Sequence, residues 1–151
     1  MKMVDRTLKV ISLWPPFLAA GIKVVDYNLN EGFIEVRLKR TLFNGNAFGT
    51  HFGGSLYSMC DPWYVFLALH KLGKDYIVWD AGAEIKFLKA CKEAVYARFS
   101  MTEEDVQEIR GRTVGGKKYL SHFNVQVKTR SGEVVASVRK TIYVRMKKRV
   151  S

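Results

Sequence analysis

The chain has 151 residues and a mass of 17.3 kDa, enough for one ordinary domain with a real hydrophobic core and too little for two. Apolar residues make up 48 % and charged residues 26 %, with 12 Gly and only 3 Pro, which excludes a disordered or a collagenous chain. Lys and Arg number 25 against 14 Asp and Glu, a formal net charge of +11. A field of that sign draws phosphate-bearing partners such as nucleic acid, nucleotides or coenzyme A, and does not choose among them. The longest strongly apolar run, Trp63 to Leu69, is far shorter than the roughly 20 residues of a membrane-spanning helix, so no membrane partner is expected. Mixed charges at Lys2, Asp5, Arg6 and Lys9, with no apolar segment or cleavage site behind them, argue against secretion. Cys60 and Cys91 form no CxxC pair, and both read as reduced thiols of a cytoplasmic protein.

In chain order, Val4, Leu8 and Ile11 recur at helical spacing and predict a short lid-like helix, which Trp14-Pro15-Pro16 stops. In FIEVRLKR, Ile34, Val36 and Leu38 alternate with Glu35, Arg37 and Lys39, the pattern of a half-buried antiparallel strand. IKVVDYN is its hairpin partner, with turn residues Asn28, Asn30 and Gly32 between them. The next segment, GGSLYSMCDPWYVFLALHK, carries apolar residues on every side of a helix, and such a helix must be buried on all sides. Either it starts at Gly53 and is kinked by Pro62, or Asp61 is an N-cap with Pro62 at the first helical position.

Alternation returns from Ile77 to Leu88, with Ile77, Trp79, Ala81, Ala83, Ile85 and Phe87 on one side and Asp80, Glu84 and Lys86 on the other. Val95, Ala97, Phe99 and Met101 continue the strand pattern, and Thr102 with Asp105 fits a capping box opening a short acidic helix through Arg110. After Gly115-Gly116, two long paired strands follow, one through Phe123, Val125 and Val127 and the other from Val134 toward Val144, joined at Arg130-Ser131-Gly132. Met146 to Ser151 reads as a basic, frayed tail. Strand, strand, buried helix, then further strands predict one curved antiparallel sheet wrapped around one central helix, an α+β class.

Within the apolar helix segment Asp61 is the one formal charge before His70. A buried carboxylate needs a partner, a cleft or a function, and in an apolar groove its pKa should rise. Upstream, NGNAFGTHFGG feeds straight into the helix, where free amides and the helix dipole polarise a carbonyl oxygen. His70 at the helix end, where a cation is favoured, and His122 on a strand read as structural, and Cys60 as packing.

The run NAFGTHFGGSLYSMCD resembles the Asn-x-x-Gly-(3)-Gly-Gly-(6)-Asp pattern of hotdog-fold acyl-CoA thioesterases of the phenylacetyl-CoA type and of the related thioesterase-like hotdog group. The likeness covers nearly the whole chain. It implies a hotdog fold, a homodimer often paired into a tetramer, and hydrolysis of acyl-CoA without metal or cofactor, coenzyme A arriving as part of the substrate. Carried over by position, it implies that Asn46 and the Gly53 amide hold the thioester carbonyl and that Asp61 is general base or nucleophile. Gly54, His51 and Ser58 are then expected against the substrate, with Lys89 and Arg112 on its phosphates.

Two departures stand out. The family often has His directly before the Gly pair, where this chain has Phe52 and places His51 one residue earlier; and Ile77 to Ala90 lacks the Ser or Thr that some members use to orient water, leaving Asp80 or Glu84 to stand in. Gly53 and Asp61 are eight residues apart, roughly 12 Å along one helix, so a site using both calls for two protomers. Basic residues gather at Lys86, Lys89 and Lys92, at Arg110, Arg112, Lys117 and Lys118, and from Arg139 to Arg149, and the first two groups are the expected coenzyme A cradle. The alternatives are a noncatalytic acyl- or CoA-binding hotdog protein and a basic nucleic-acid-binding module, for which no RNP, helix-turn-helix, zinc or KH signature is present.

Overall fold

Alternating apolar residues build six antiparallel strands in the computed structural model, which describes residues 2–147. They are β1 (Ile22–Asn28), β2 (Phe33–Leu38), β3 (Tyr76–Phe87), β4 (Val95–Ser100), β5 (Lys118–Thr129) and β6 (Val134–Met146). One sheet holds them in the order β1-β2-β4-β5-β6-β3. The helices are α1 (Lys2–Val10), α2 (Pro15–Ala20), α3 (Gly53–Ser58), α4 (Trp63–Leu72) and α5 (Glu103–Arg112), with a 3-10 turn at Ile11–Leu13. None of them is long and apolar enough to cross a membrane. Residues 148–151 of the expected basic tail lie outside the described residues.

The sheet curves around α4, which packs against β2, β3, β4 and β6. Trp63, Leu67 and Ala68 are fully buried there, against Val36, Phe99, Val138 and Ile142 of the sheet's inner face. β4 and β5 pair only over Val95–Ala97 and then part. Tyr64 of α4 fills the split, its ring stacked on Phe123 with centroids 4.4 Å apart and its hydroxyl donating to the Asn124 carbonyl at 3.3 Å. The fold is thus α+β, the wrapped-helix arrangement expected of the hotdog class.

Four local expectations change. The central segment starts at Gly53 but is broken, not kinked: α3 ends at Ser58, and Pro62, joined to Asp61 by a cis peptide, stands as N-cap of α4 with no side-chain cap bond. Asp61 therefore caps nothing. At the N-terminus the prolines stop α1 and also open α2, because Pro fits a first helical turn that has no amide bond to lose. The capping box of Thr102 and Asp105 is present, and α5 runs on to Arg112.

The fourth change matters most for chemistry. A bulge between Asp80 and Gly82 reverses the phase of β3, since one extra residue turns every later side chain to the other face. Tyr76 and Val78 are buried before it and Ala83 and Ile85 half-buried after it, while Ile77 and Trp79 are exposed; Asp80, opposite the buried Ile142, shares the face of Val78 and reaches Lys140 with its carboxylate. Asp80, expected on the polar side, faces the helix.

The N-terminal arm covers the outer edge of β1. Val4, Leu8 and Ile11 are buried as their spacing predicts, Ser12 Oγ accepts the Val24 amide at 3.1 Å, and the Tyr27 hydroxyl donates to Asp5 at 3.0 Å. Gly21 ends α2 at φ +78°, where a β-carbon would stand 2.5 Å from the Lys39 carbonyl oxygen. The opposite end of the sheet, the twelve residues of β3, has no strand beside its outer edge among the described residues.

Candidate active site

Asp61 lies in the turn between α3 and α4, with its side chain 49 % exposed. Its Oδ1 is 3.4 Å from Lys140 Nζ, and the same ammonium donates to Asp80 Oδ2 at 2.5 Å. Lys140 is 2 % exposed because it falls in phase with Val138 and Ile142 on the inner face of β6. An ammonium so placed is expensive unless paired, and two carboxylates pair it. Burial works against its charge, yet the Asp80 hydrogen bond, with the charges of Asp80 and Asp61, outweighs that and holds its pKa above the ordinary lysine value.

Burial, helped by a bond to the neighbouring Asp61 and opposed by Lys140, pushes the Asp80 carboxyl up to about 6. The Asp80 carboxyl therefore changes charge closer to neutrality than an ordinary aspartate, a property frequent at functional sites. Lys140 escaped the sequence reading because it was grouped with the basic residues from Arg139 onward. The signal was present: a lysine two residues from Val138 and from Ile142 in a strand belongs to the apolar face.

Asp61 also borders an open apolar groove of about 680 Å³, whose far wall is formed by the arm from Val10 to Pro15. The glycine-rich loop lines a different cavity, of about 340 Å³, with Asn46, His51, Gly53, Phe87 and Lys89 around it. Asn46 organises that loop: its Nδ2 donates to Thr50 Oγ1 at 2.8 Å and to the His51 carbonyl at 3.1 Å, and its Oδ1 accepts the Phe48 and Thr50 amides. Holding a substrate carbonyl would require one of the first two bonds to open.

His51 is buried and turned from the loop, with Nε2 donating to the Glu93 carbonyl at 2.7 Å. Burial lowers its pKa, so it is a neutral tie between the loop and the segment before β4. Gly53 and Gly54 open α3, and their amides have no partner among the described residues. A β-carbon on Gly53 would meet the Phe87 ring at 3.0 Å, so the end of β3 rests on this helix start. Ser58 Oγ donates back to the Gly54 carbonyl at 2.8 Å.

One protomer does not unite the two halves. Gly53 sits by Phe87 and Asp61 by Asp80, and those β3 residues are seven apart, roughly 20 Å along a strand. The basic groups are also split. Lys89 is paired with Glu133 beside the start of β6, and Arg112, paired with Glu108 at 3.7 Å, belongs to the α5 end, where Lys118 lies opposite Arg145 in the β5–β6 register. The strand between them runs roughly 30 Å, so the two groups lie at opposite ends of one protomer.

The other ionisable candidates are structural. Burial pushes the Cys60 thiol up to about 12, which leaves it inert. His70, read as structural, ends α4, where burial lowers its pKa and leaves the ring neutral. His122 Nδ1 bonds Thr141 Oγ1 across the β5–β6 pair at 2.9 Å. Among the described residues no group of three or more His, Cys, Asp or Glu is placed to hold a metal ion.

A family model described as Domain of unknown function (DUF4442) matches residues 6–144. The chain belongs to this family. No curated protein matches it in sequence. In structure it is similar to a Pseudomonas aeruginosa protein of unknown function described as a "Probable Thioesterase", with a TM-score of 0.78 at 16 % identity over 96 % of this chain and 95 % of that one. It is also similar to a Haemophilus influenzae thioesterase, with a TM-score of 0.70 at 14 % identity over 97 % and 94 %. The PaaI protein of the E. coli phenylacetic acid degradation operon gives 0.64 at 16 % over 93 % and 91 %. These likenesses establish the hotdog fold for this DUF4442 chain.

Proposed function

We propose that the protein hydrolyses acyl-CoA thioesters at a site shared between two copies of the chain, with Asp61 as general base. The observation that carries this reading is the half-exposed Asp61 carboxylate, backed by the buried Lys140 and set at the mouth of an apolar groove. Asp61 takes a proton from water as the oxygen adds to the thioester carbon. The oxyanion is received by the Gly53 amide of the other protomer. Collapse breaks the carbon–sulfur bond, and the coenzyme A thiolate takes up the proton, leaving the free acid and the thiol.

The unpaired edge of β3 supports the dimer. Trp79 is 68 % and Phe87 56 % exposed on this strand, and a long unpaired edge is a template for pairing with another strand. Antiparallel pairing of two such edges across a twofold lays the Phe87 and Gly53 end of one protomer along the Asp80 and Asp61 end of its partner. It also brings Lys86, Lys89 and Lys92 of one copy toward the Arg112, Lys117 and Lys118 end of the other, which reunites the basic groups around the coenzyme A phosphates. Light scattering at micromolar concentration is expected to give a dimer or a dimer of dimers. A monomer with full thioesterase activity would overturn the shared site.

The direct experiment is an acyl-CoA panel with detection of the released thiol. Turnover is expected to rise with pH through about 6 as Asp80 ionises. Once ionised, Asp80 engages the Lys140 ammonium, which then divides its charge between the two carboxylates. A folded, dimeric protein that binds acyl-CoA and releases no thiol would replace hydrolysis by noncatalytic acyl binding.

A further inference from the structure

Beside Asp61 the N-terminal arm leaves an apolar groove that the reaction chemistry does not use. One wall is Val10, Leu13, Trp14 and Pro15; the other is Pro62 and Phe66. Val10, Leu13 and Trp14 are 59 %, 71 % and 55 % exposed, three neighbouring apolar side chains that the fold leaves uncovered. The arm is not loosely placed. Ser12 is bonded to β1, Tyr27 to Asp5, and Trp14 packs edge-on against Phe17, which in turn lies 5.5 Å from Trp63 of the core. Among the described residues Asp61 is the only ionisable group lining the groove.

We infer that this groove is the acyl subsite and that it selects long, flexible aliphatic acyl groups over acetyl and aryl ones. The inference rests on the thioesterase reading above and adds the substrate class. An acyl thioester has an apolar tail and one reacting carbonyl, and the groove has apolar walls with one carboxylate at its edge. Its volume of about 680 Å³ is roughly four times that of a cavity that holds a benzene ring. An aryl group would therefore leave most of it wet, whereas a long chain lies along both walls. An open groove covers only part of each methylene. Full burial is worth about fourfold in affinity per methylene, so about twofold per methylene is expected here, until the walls are used up.

Binding of non-hydrolysable S-alkyl-CoA thioethers tests this without turnover. Calorimetry with S-methyl-, S-hexyl- and S-dodecyl-CoA is expected to show affinity rising at least tenfold from the shortest to the longest. Leu13→Glu, a change at an exposed position, is expected to remove that gain, while Val25→Glu, at an exposed apolar residue of β1, keeps it; thermal melting checks that both variants are folded. Equal affinity at every length, with acyl-CoA still hydrolysed, would overturn the subsite and leave the thioesterase reading standing. The chain-length gain without hydrolysis of any acyl-CoA would support the subsite and overturn the enzyme. If Leu13→Glu instead changes the oligomeric state in light scattering and leaves the chain-length gain intact, the groove is a contact between copies and the inference falls.

Discussion

Asp61→Asn is expected to lower turnover on acyl-CoA by about 10² or more, with little change in the Michaelis constant. Asn keeps the shape of the side chain and its contact with Lys140, but cannot accept a proton from water. Stability should change by less than about 1 kcal/mol, because the ion pair lost is long, at 3.4 Å, and its carboxylate is 49 % exposed. That stability result is also what separates this position from a helix cap, since Asp61 makes no capping bond to α4. Steady-state kinetics and a melting curve on the same preparation decide the matter. If Asp61→Asn turns over normally while Asp80→Asn does not, the base is Asp80 and the proton route must be redrawn.

The largest effect on stability is expected at Lys140. Lys140→Met keeps most of the stem volume and removes the ammonium, leaving Asp80 and Asp61 facing each other without a counter-charge. A loss of about 1–3 kcal/mol at pH 7.5 follows from the cost of leaving the part-buried Asp80 carboxylate unpaired, moderated by the exposure of Asp61. The pH dependence gives the cause. In the native protein the folded Asp80 carboxyl binds its proton more tightly than the unfolded one, about 6 against 3.8. Its contribution to stability is therefore complete below the unfolded value and is lost as pH rises through the folded value. Without Lys140 the folded value rises further, so the decline continues to higher pH. Denaturant titrations at pH 5 and pH 8 should show the variant closer to the native protein at pH 5. Adding Asp80→Asn to Lys140→Met should recover much of the loss at pH 8. An equal loss at both pH values would mean that the lysine stem, and not its charge, is what the fold needs.

The sheet and the buried helix were legible in the residues because their cause is local. The alternation in FIEVRLKR and from Phe123 to Val127 turned one face of each strand to the core, and the unbroken apolar run from Trp63 to Leu69 left α4 no exposed side to face water. The capping box at Thr102 and the turn at Gly32 needed only neighbours a few residues away. Asp61 was also visible, as a charge where the pattern allows none.

What surrounds Asp61 was not legible, because it depends on register. The bulge after Asp80 turns that carboxylate inward, and the Gly82 beside it was its only trace in the strand pattern. Lys140 reaches Asp61 across 79 residues and Asp80 across 60, distances in sequence at which no spacing rule operates. The groove over Asp61 depends on an arm that two prolines were expected only to end, and which they instead turn into a second helix lying along the first strand. A pattern along the chain tells which face of an element is buried; which charges then meet inside is set by how the elements pair, and that is a property of the folded sheet.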